Sequence, residues 1–181
     1  MIEISQPTAE CPHPEHWSMH DAMSAEVEVV DFIAQLVRTI KPRLVVETGT
    51  HLGITAEAIG QALRDNGFGR LVTCEIDPTL FSEVRERIEQ AGLGPFVDVR
   101  NISSLKLTVH SKIDFLFSDS DVTIRIDEVN RFMPMLSPKA LVLIHDVNTG
   151  SHVQLRKKVA ESGLSCVFLP TPRGLAICQC P

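Results

Sequence analysis

RLVVETGTHLGITAEAIGQA, residues 43–62, opens as an apolar run of branched residues, Leu44, Val45 and Val46. It breaks at Glu47-Thr48-Gly49-Thr50-His51-Leu52-Gly53 and resumes with Ile54, Ala58, Ile59 and Ala62 at helical spacing. A short buried strand, a glycine turn and a helix are how an α/β sheet presents backbone N–H groups to a ligand. Glu47 closes the strand and is expected to bring a carboxylate to the rim of the sheet. Gly49 lets the chain turn where a side chain would clash. Gly53 is expected to let the helix approach the ligand or the sheet. The rest of the chain reads as support for a pocket at this turn.

Working outward, Ser24 to Ile40 carries Val27, Val30, Ile33, Ala34, Val37 and Ile40 at helical spacing and stops at Lys41-Pro42. The residue before proline avoids the α region, which ends that helix. Beyond the central unit, Asn66-Gly67 supplies a left-handed cap. Arg70–Ile76 is the second strand, and Asp77-Pro78 starts a helix with an N-cap and proline at its first turn. Its inward residues are expected to be Leu80, Phe81, Val84 and Ile88. Phe96–Arg100 is a third strand with the polar tip Asn101-Ile102-Ser103-Ser104. Lys112–Phe117 is a fourth, followed by a helical segment carrying Ile126 to Leu136, a turn at Ser137-Pro138-Lys139 and a fifth strand at Ala140–Ile144. Val153–Ala160 is the last helix, before strands at 165–169 and 175–178. Five strand–helix alternations and a terminal hairpin predict a mainly parallel sheet covered on both faces.

A chain of 181 residues is expected to form one domain and to bury about two-thirds of its unfolded surface. Residues 1–23 read as an arm and 24–180 as the core. A net charge of −6 argues against a broad nucleic-acid footprint, which needs clustered Lys and Arg. No apolar run approaches the roughly 18 residues of a membrane span. The start, Met1-Ile2-Glu3-Ile4-Ser5, has no basic segment followed by an apolar one. The five cysteines, at 11, 74, 166, 178 and 180, have no framework spacing, and Cys74 and Cys166 sit in strand-like runs as buried thiols do. A reduced, cytoplasmic protein is the simplest expectation. Cys178-x-Cys180 is a minor metal or redox candidate. The proline-punctuated N-terminus holds Cys11, His13, His16 and His20; a helix there would put His16 and His20 on one face as zinc ligands, and a solvated segment is the alternative. Trp17 either covers a pocket or pins the arm.

The chemistry collects at the strand ends, where ligands bind in such sheets. Four of the first five strands end in acid: Glu47, Glu75, Asp119 and Asp146. Glu75, about twenty residues past the glycine turn, suits a ribose diol. Ile76 follows it on the same rim. Ser103 and Ser104 either bound a base or are turn serines. A dinucleotide fingerprint needs G-x-G-x-x-G, whereas His51 stands at the middle glycine here and gives E-x-G-x-x-x-G.

That motif resembles the first motif of class I S-adenosylmethionine-dependent methyltransferases. IDFLFSDSD…LSPKALVLIHD resembles the D-x-x-F-I-D-G-D-H…L-x-P-G-G-x-x-x-x-H-D pattern of small O-methyltransferases, the catechol and sugar O-methyltransferase-like members, over roughly residues 24–180. The resemblance implies a Rossmann-like seven-stranded sheet with a reversed last strand. It implies S-adenosylmethionine held by Glu47, Thr48, Gly49, Thr50, Gly53, Glu75, Ile76, Ser103 and Asp119. It further implies Mg²⁺ on Asp119, Asp146 and Asn148, lowering the pKa of an acceptor hydroxyl. His145 or Asp119 would serve catalysis, His145 as general base. The sequence departs from the pattern at Asp121-Val122, where relatives have Asp-His, at Lys139-Ala140 for two glycines, at Val147 for the asparagine of the catechol-type enzymes, and at Ile102 for an acid. The expected activity is methyl transfer to a hydroxyl of a small molecule. The alternatives are a non-catalytic cofactor- or partner-binding protein of the same fold, and an NAD-dependent oxidoreductase. A homodimer is left open.

Overall fold

The computed structural model describes residues 2–3, 11–148 and 152–179. In chain order the elements are β1 (Ile2–Glu3), β2 (Ser18–Met19), α1 (Val27–Ile40), β3 (Leu44–Thr48), α2 (Ile54–Asn66), β4 (Arg70–Glu75), α3 (Pro78–Gln90) and β5 (Val97–Asn101). They continue with β6 (Ile113–Ser118), α4 (Arg125–Phe132), β7 (Leu136–His145), α5 (Val153–Ala160), β8 (Ser165–Leu169) and β9 (Leu175–Gln179). Seven strands make one sheet in the order β5-β4-β3-β6-β7-β9-β8. Its strands pair in parallel except β9, which is antiparallel to β7 and β8. This is the mostly parallel sheet with a reversed last strand expected from the sequence.

The strands alternate between two apolar layers, so both faces are buried. Val45, Phe115, Phe117 and Leu143 pack with α1, α2 and α3. Val46, Leu116, Val142 and Ile144 pack with α4 and α5 on the other side. Burying each such side chain contributes roughly 1.5–3 kcal/mol. No helix among the described residues is long and apolar enough to cross a membrane.

The helix ends follow the sequence signals. Lys41 caps α1 and Gly67 caps α2, both left-handed, and Asp77 accepts from the N–H groups of Thr79 and Leu80 at the start of α3. Of the four residues expected to face inward from α3, only Val84 and Ile88 are buried. The segment before the fifth parallel strand departs further. The α-helix stops at Phe132, a 3-10 turn covers Met133–Met135, and Ser137-Pro138-Lys139 lies within β7 rather than in a separate turn. Ile113 pairs with Leu136 and Phe115 with Leu141, so a step of two residues on β6 faces a step of five on β7. This is a bulge. Lys139 occupies it at φ 65°, where the resembled pattern has glycine.

Cys166 and Cys178 oppose each other on β8 and β9 and are joined by a disulfide, with Cα atoms 4.1 Å apart. The expectation of a buried Cys166 thiol is thereby corrected. Directly opposed residues of an antiparallel pair lie within bridging reach, but the pairing depends on hairpin register, which cysteine spacing does not encode. The ground for expecting a reducing compartment goes with it. Cys11 and Cys74 are free and buried; Cys180 lies outside the described residues.

Residues 11–23 pack along the body, with Cys11 and Met19 buried. Trp17 contacts the core layer of α1, which answers its role as a pin. The 3-10 turn Pro14–His16 ends before Trp17, so no helical face joins His16 to His20. His13, Glu15 and His16 instead approach one another at the surface.

Candidate active site

A cavity of about 630 Å³ opens at the carboxyl ends of the parallel strands, lined by Gly49, Thr50, Glu75, Ser103, Asp119 and Asp146 among others. It lies where the strand order reverses, with β4 on one side of β3 and β6 on the other, the position at which open α/β sheets bind ligands.

Its first half is built from β3, β4 and the loop after β5. Gly49 has φ +78°, and a Cβ there would lie 2.6 Å from the Asp119 carbonyl oxygen. Only glycine lets β3 turn this close to the tip of β6. Both Gly49 and Thr50 donate backbone N–H to the Cys74 carbonyl at 3.2 Å. Glu75 accepts from His51 N–H at 2.8 Å and from Asp77 N–H at 2.9 Å, one on each oxygen. Each carboxylate oxygen has a second lone pair, so Glu75 retains accepting capacity on the cavity wall. Ile76 and Met23 stand 72% and 68% exposed on the same rim.

Three residues expected at the ligand lie elsewhere. Glu47 is fully buried beneath the turn and accepts from Thr73 Oγ1 at 2.6 Å. Burial, reinforced by Asp119 and Glu75, pushes its pKa up to about 8, so it is largely protonated at neutral pH. Thr48 donates to buried Glu128, which also accepts from Ser118 and Ser120. The Cβ position of Gly53 faces Val84, 2.8 Å away, so that glycine admits α3 rather than a ligand. Gly49, Thr50, Glu75, Ile76, Ser103 and Asp119 do line the cavity.

The second half is a buried cluster of charges. His145 has no exposed surface; its Nε2 lies 2.6 Å from Glu26 Oε2 and its Nδ1 3.0 Å from Asp119 Oδ1. Burial alone would lower its pKa, but Asp119 and Glu26 push it up to about 10. Arg125 Nη2 stands 3.1 Å from Asp119 and 2.8 Å from Asp146, and Arg125 also donates to the carbonyls of Ser120 and His145. Arg173 grips Asp146 with two N–H groups, at 2.6 and 3.0 Å, a bidentate pair. Its backbone N–H donates to Glu26 Oε1 and its guanidinium to the carbonyls of Met23 and Ser24. Burial opposes ionisation of Asp146, yet His145, Arg125 and Arg173 hold it well below the carboxylate range. Three carboxylates thus face three cations.

This arrangement corrects two expectations. A general base needs a free lone pair within reach of substrate, and both nitrogens of His145 are committed to the carboxylates of Asp119 and Glu26. Metal binding fails on the same geometry. Asp119, Asp146 and His145 do converge within 4.8 Å, but Arg125 stands between the carboxylates and the imidazole offers N–H donors instead of lone pairs. Asn148 is turned to the neighbouring loops, donating to Pro172 and accepting from the His152 N–H. The donor set does not suit Mg²⁺. Asp119 keeps one resource, because both its contacts fall on Oδ1 and Oδ2 accepts no hydrogen bond among the described residues.

The sequence reading missed Glu26, Arg125, Glu128 and Arg173. Glu26, next to a helix start, reads as an ordinary dipole partner. Arg173 sits in the Pro170–Gly174 turn, whose only local signal is a loop.

Sheet order, reversed strand and a ligand cavity at the switch point together define the class I methyltransferase fold. Residues 46–147 match a family described as a methyltransferase domain, and the chain belongs to that family. Among solved structures, an O-methyltransferase from Bacillus cereus in complex with S-adenosylhomocysteine (SAH) is 20% identical, with TM-score 0.75 over 89% of this chain and 84% of that one. The SAH-bound methyltransferase PaMTH1 of Podospora anserina is 20% identical, with TM-score 0.77 over 88% and 80%. TomG of Streptomyces achromogenes, an O-methyltransferase of tomaymycin synthesis solved with S-adenosylmethionine, is 17% identical, with TM-score 0.72 over 87% and 81%. A search of curated proteins returns no match.

Proposed function

We propose that this chain binds S-adenosylmethionine and transfers its methyl group to a hydroxyl of a small molecule, without a metal ion. The observation that carries the reading is the glycine turn of β3 beside Glu75 on the wall of a cavity at the switch point. When bound, the cofactor supplies a methyl group already activated by its sulfonium. Glu75 offers its remaining lone pairs to the ribose diol, and Ser103 and Ser104 bound the adenine beside exposed Ile76. The turn at Gly49 and Thr50 receives the methionine part, with Glu47 beneath it as a protonated support. Asp119 Oδ2 accepts from the acceptor hydroxyl, orients it and takes up its proton as the methyl passes from sulfur to oxygen and SAH is left behind, so alignment is the protein's main contribution. Membership of the methyltransferase-domain family and the bound ligands of the structural relatives support this reading. The acceptor is proposed to be a small molecule because the cavity, which Met23 and Ser24 of the N-terminal segment help to line, has a volume of about 630 Å³. A homodimer stays part of the proposal.

Calorimetric titration of SAH into the protein tests it. Micromolar binding is expected, followed by methyl transfer in a panel of hydroxyl acceptors. No binding would end the cofactor reading; tight binding with no transfer to any acceptor would leave a cofactor-binding protein.

A further inference from the structure

We infer that Arg125 is a built-in cation that closes the acceptor end of the cavity to divalent metals and holds Asp119 in its working position. The inference rests on the methyltransferase reading for its catalytic meaning, but not for its geometry. Arg125 starts α4, six residues after Asp119, and its side chain is only 4% exposed. From there one guanidinium nitrogen meets both acids that a metal would need, at 3.1 and 2.8 Å. Mg²⁺ requires oxygens at about 2.1 Å in octahedral array. To acquire them it would have to displace an arginine anchored on the Ser120 and His145 carbonyls as well.

Charge points the same way. Arg125, Arg173 and His145 already match Glu26, Asp119 and Asp146 one for one. A dication would add two uncompensated charges among three cations in a largely buried site, where repulsion is stronger than in bulk water. The third potential ligand is lost too, since each nitrogen of His145 faces a carboxylate oxygen at hydrogen-bond distance and therefore carries hydrogen. Arg125 thus occupies the place, and supplies the charge, of a metal. It cannot polarise the acceptor as a Lewis acid, because its nitrogens are spent on protein oxygens. It acts through Asp119 and is a positioning residue.

Manganese binding, read by electron paramagnetic resonance, tests this without reference to cofactor or activity. Wild-type protein is expected to take up no Mn²⁺ at this site, and SAH affinity is expected to be the same with Mg²⁺ or with chelator. Arg125→Ala empties the gap between Asp119 and Asp146 and is expected to gain Mn²⁺ binding that Asp119→Asn in the same background abolishes. Stoichiometric Mn²⁺ in the wild type that Asp119→Asn removes would overturn the inference. So would a folded Arg125→Ala protein that still ignores Mn²⁺. If Arg125→Ala fails to fold, the wild-type titration decides alone. Signal lost in His16→Ala belongs to the exposed His13-Glu15-His16 group and is subtracted. Failure of SAH to bind would refute the proposed function while leaving the manganese result intact.

Discussion

The two halves of the cavity are built on opposite principles. Around β3, β4 and β5 the backbone N–H groups of the turn are spent on holding its shape, on the Cys74 carbonyl and on Glu75, and what faces the cavity is hydroxyls and a carboxylate with lone pairs to spare. Around β6 and β7 six charged side chains are paired with one another and nearly sealed from solvent. One half is prepared for a ligand from outside, and the other has supplied its own counter-charges. Strand-end acids look alike in sequence and do different work: Glu75 faces the cavity, Glu47 is a protonated strut, Asp146 is a member of a closed ion cluster.

The largest expected effect comes from breaking the closed half. Asp146→Ala leaves Arg173 and Arg125 without a shared partner in a buried site, which costs about 3–5 kcal/mol. Urea unfolding measures it, and a loss below about 1 kcal/mol would mean the cluster is solvated after all. The next test sharpens the contrast by pH. The folded-state pKa of Glu47 is raised from 4.5 to about 8, so the native state holds the extra proton in this window. Its contribution is present at low pH and is lost as pH rises through about 8. Glu47→Gln removes that loss, so the variant should gain stability over wild type between pH 5 and 9, by up to roughly 4 kcal/mol at the upper end. Thermal melts at both pH values check it; a constant difference would place Glu47 as an ordinary carboxylate. The smallest stability effect belongs to the open half. Glu75→Ala should weaken SAH binding at least tenfold, about 1.4 kcal/mol, while reducing stability by only about 1 kcal/mol. Calorimetry beside unfolding separates the two, and an unchanged affinity would remove Glu75 from the cofactor wall.

The open half was largely legible because its signals are local. A glycine that must turn, an acid at the end of a β-branched run and an Asp-Pro helix start each act within a few residues. The closed half was not, because it is made by contacts across the chain. Arg173 and Glu26 meet across 147 positions, and nothing in P-T-P-R-G announces a carboxylate partner. His145 and Asp146 were found by position and misjudged in role, since the residues that occupy them come from α4, the hairpin loop and the N-terminal segment. The disulfide was hidden because it depends on the register of the β8–β9 hairpin. Thr48, Glu47 and Gly53 show the converse limit: a local motif locates a turn but does not say which of its side chains face inward.

The link between Arg173 and Glu26 also sets an order of assembly. Residues 44–118 contain β3 to β6 and the whole glycine turn, so the half that receives the cofactor can be complete while much of the chain is still unplaced. The charge cluster needs the final hairpin to bring Gly174 against Asn148, where a Cβ would lie 2.4 Å from the backbone nitrogen, and so to aim Arg173 at Asp146. Contacts this distant in sequence form late. The cofactor half is therefore expected to form before the charge cluster, and pulse-labelled hydrogen exchange during refolding should show the Gly49 and Thr50 amides protected before that of Arg173.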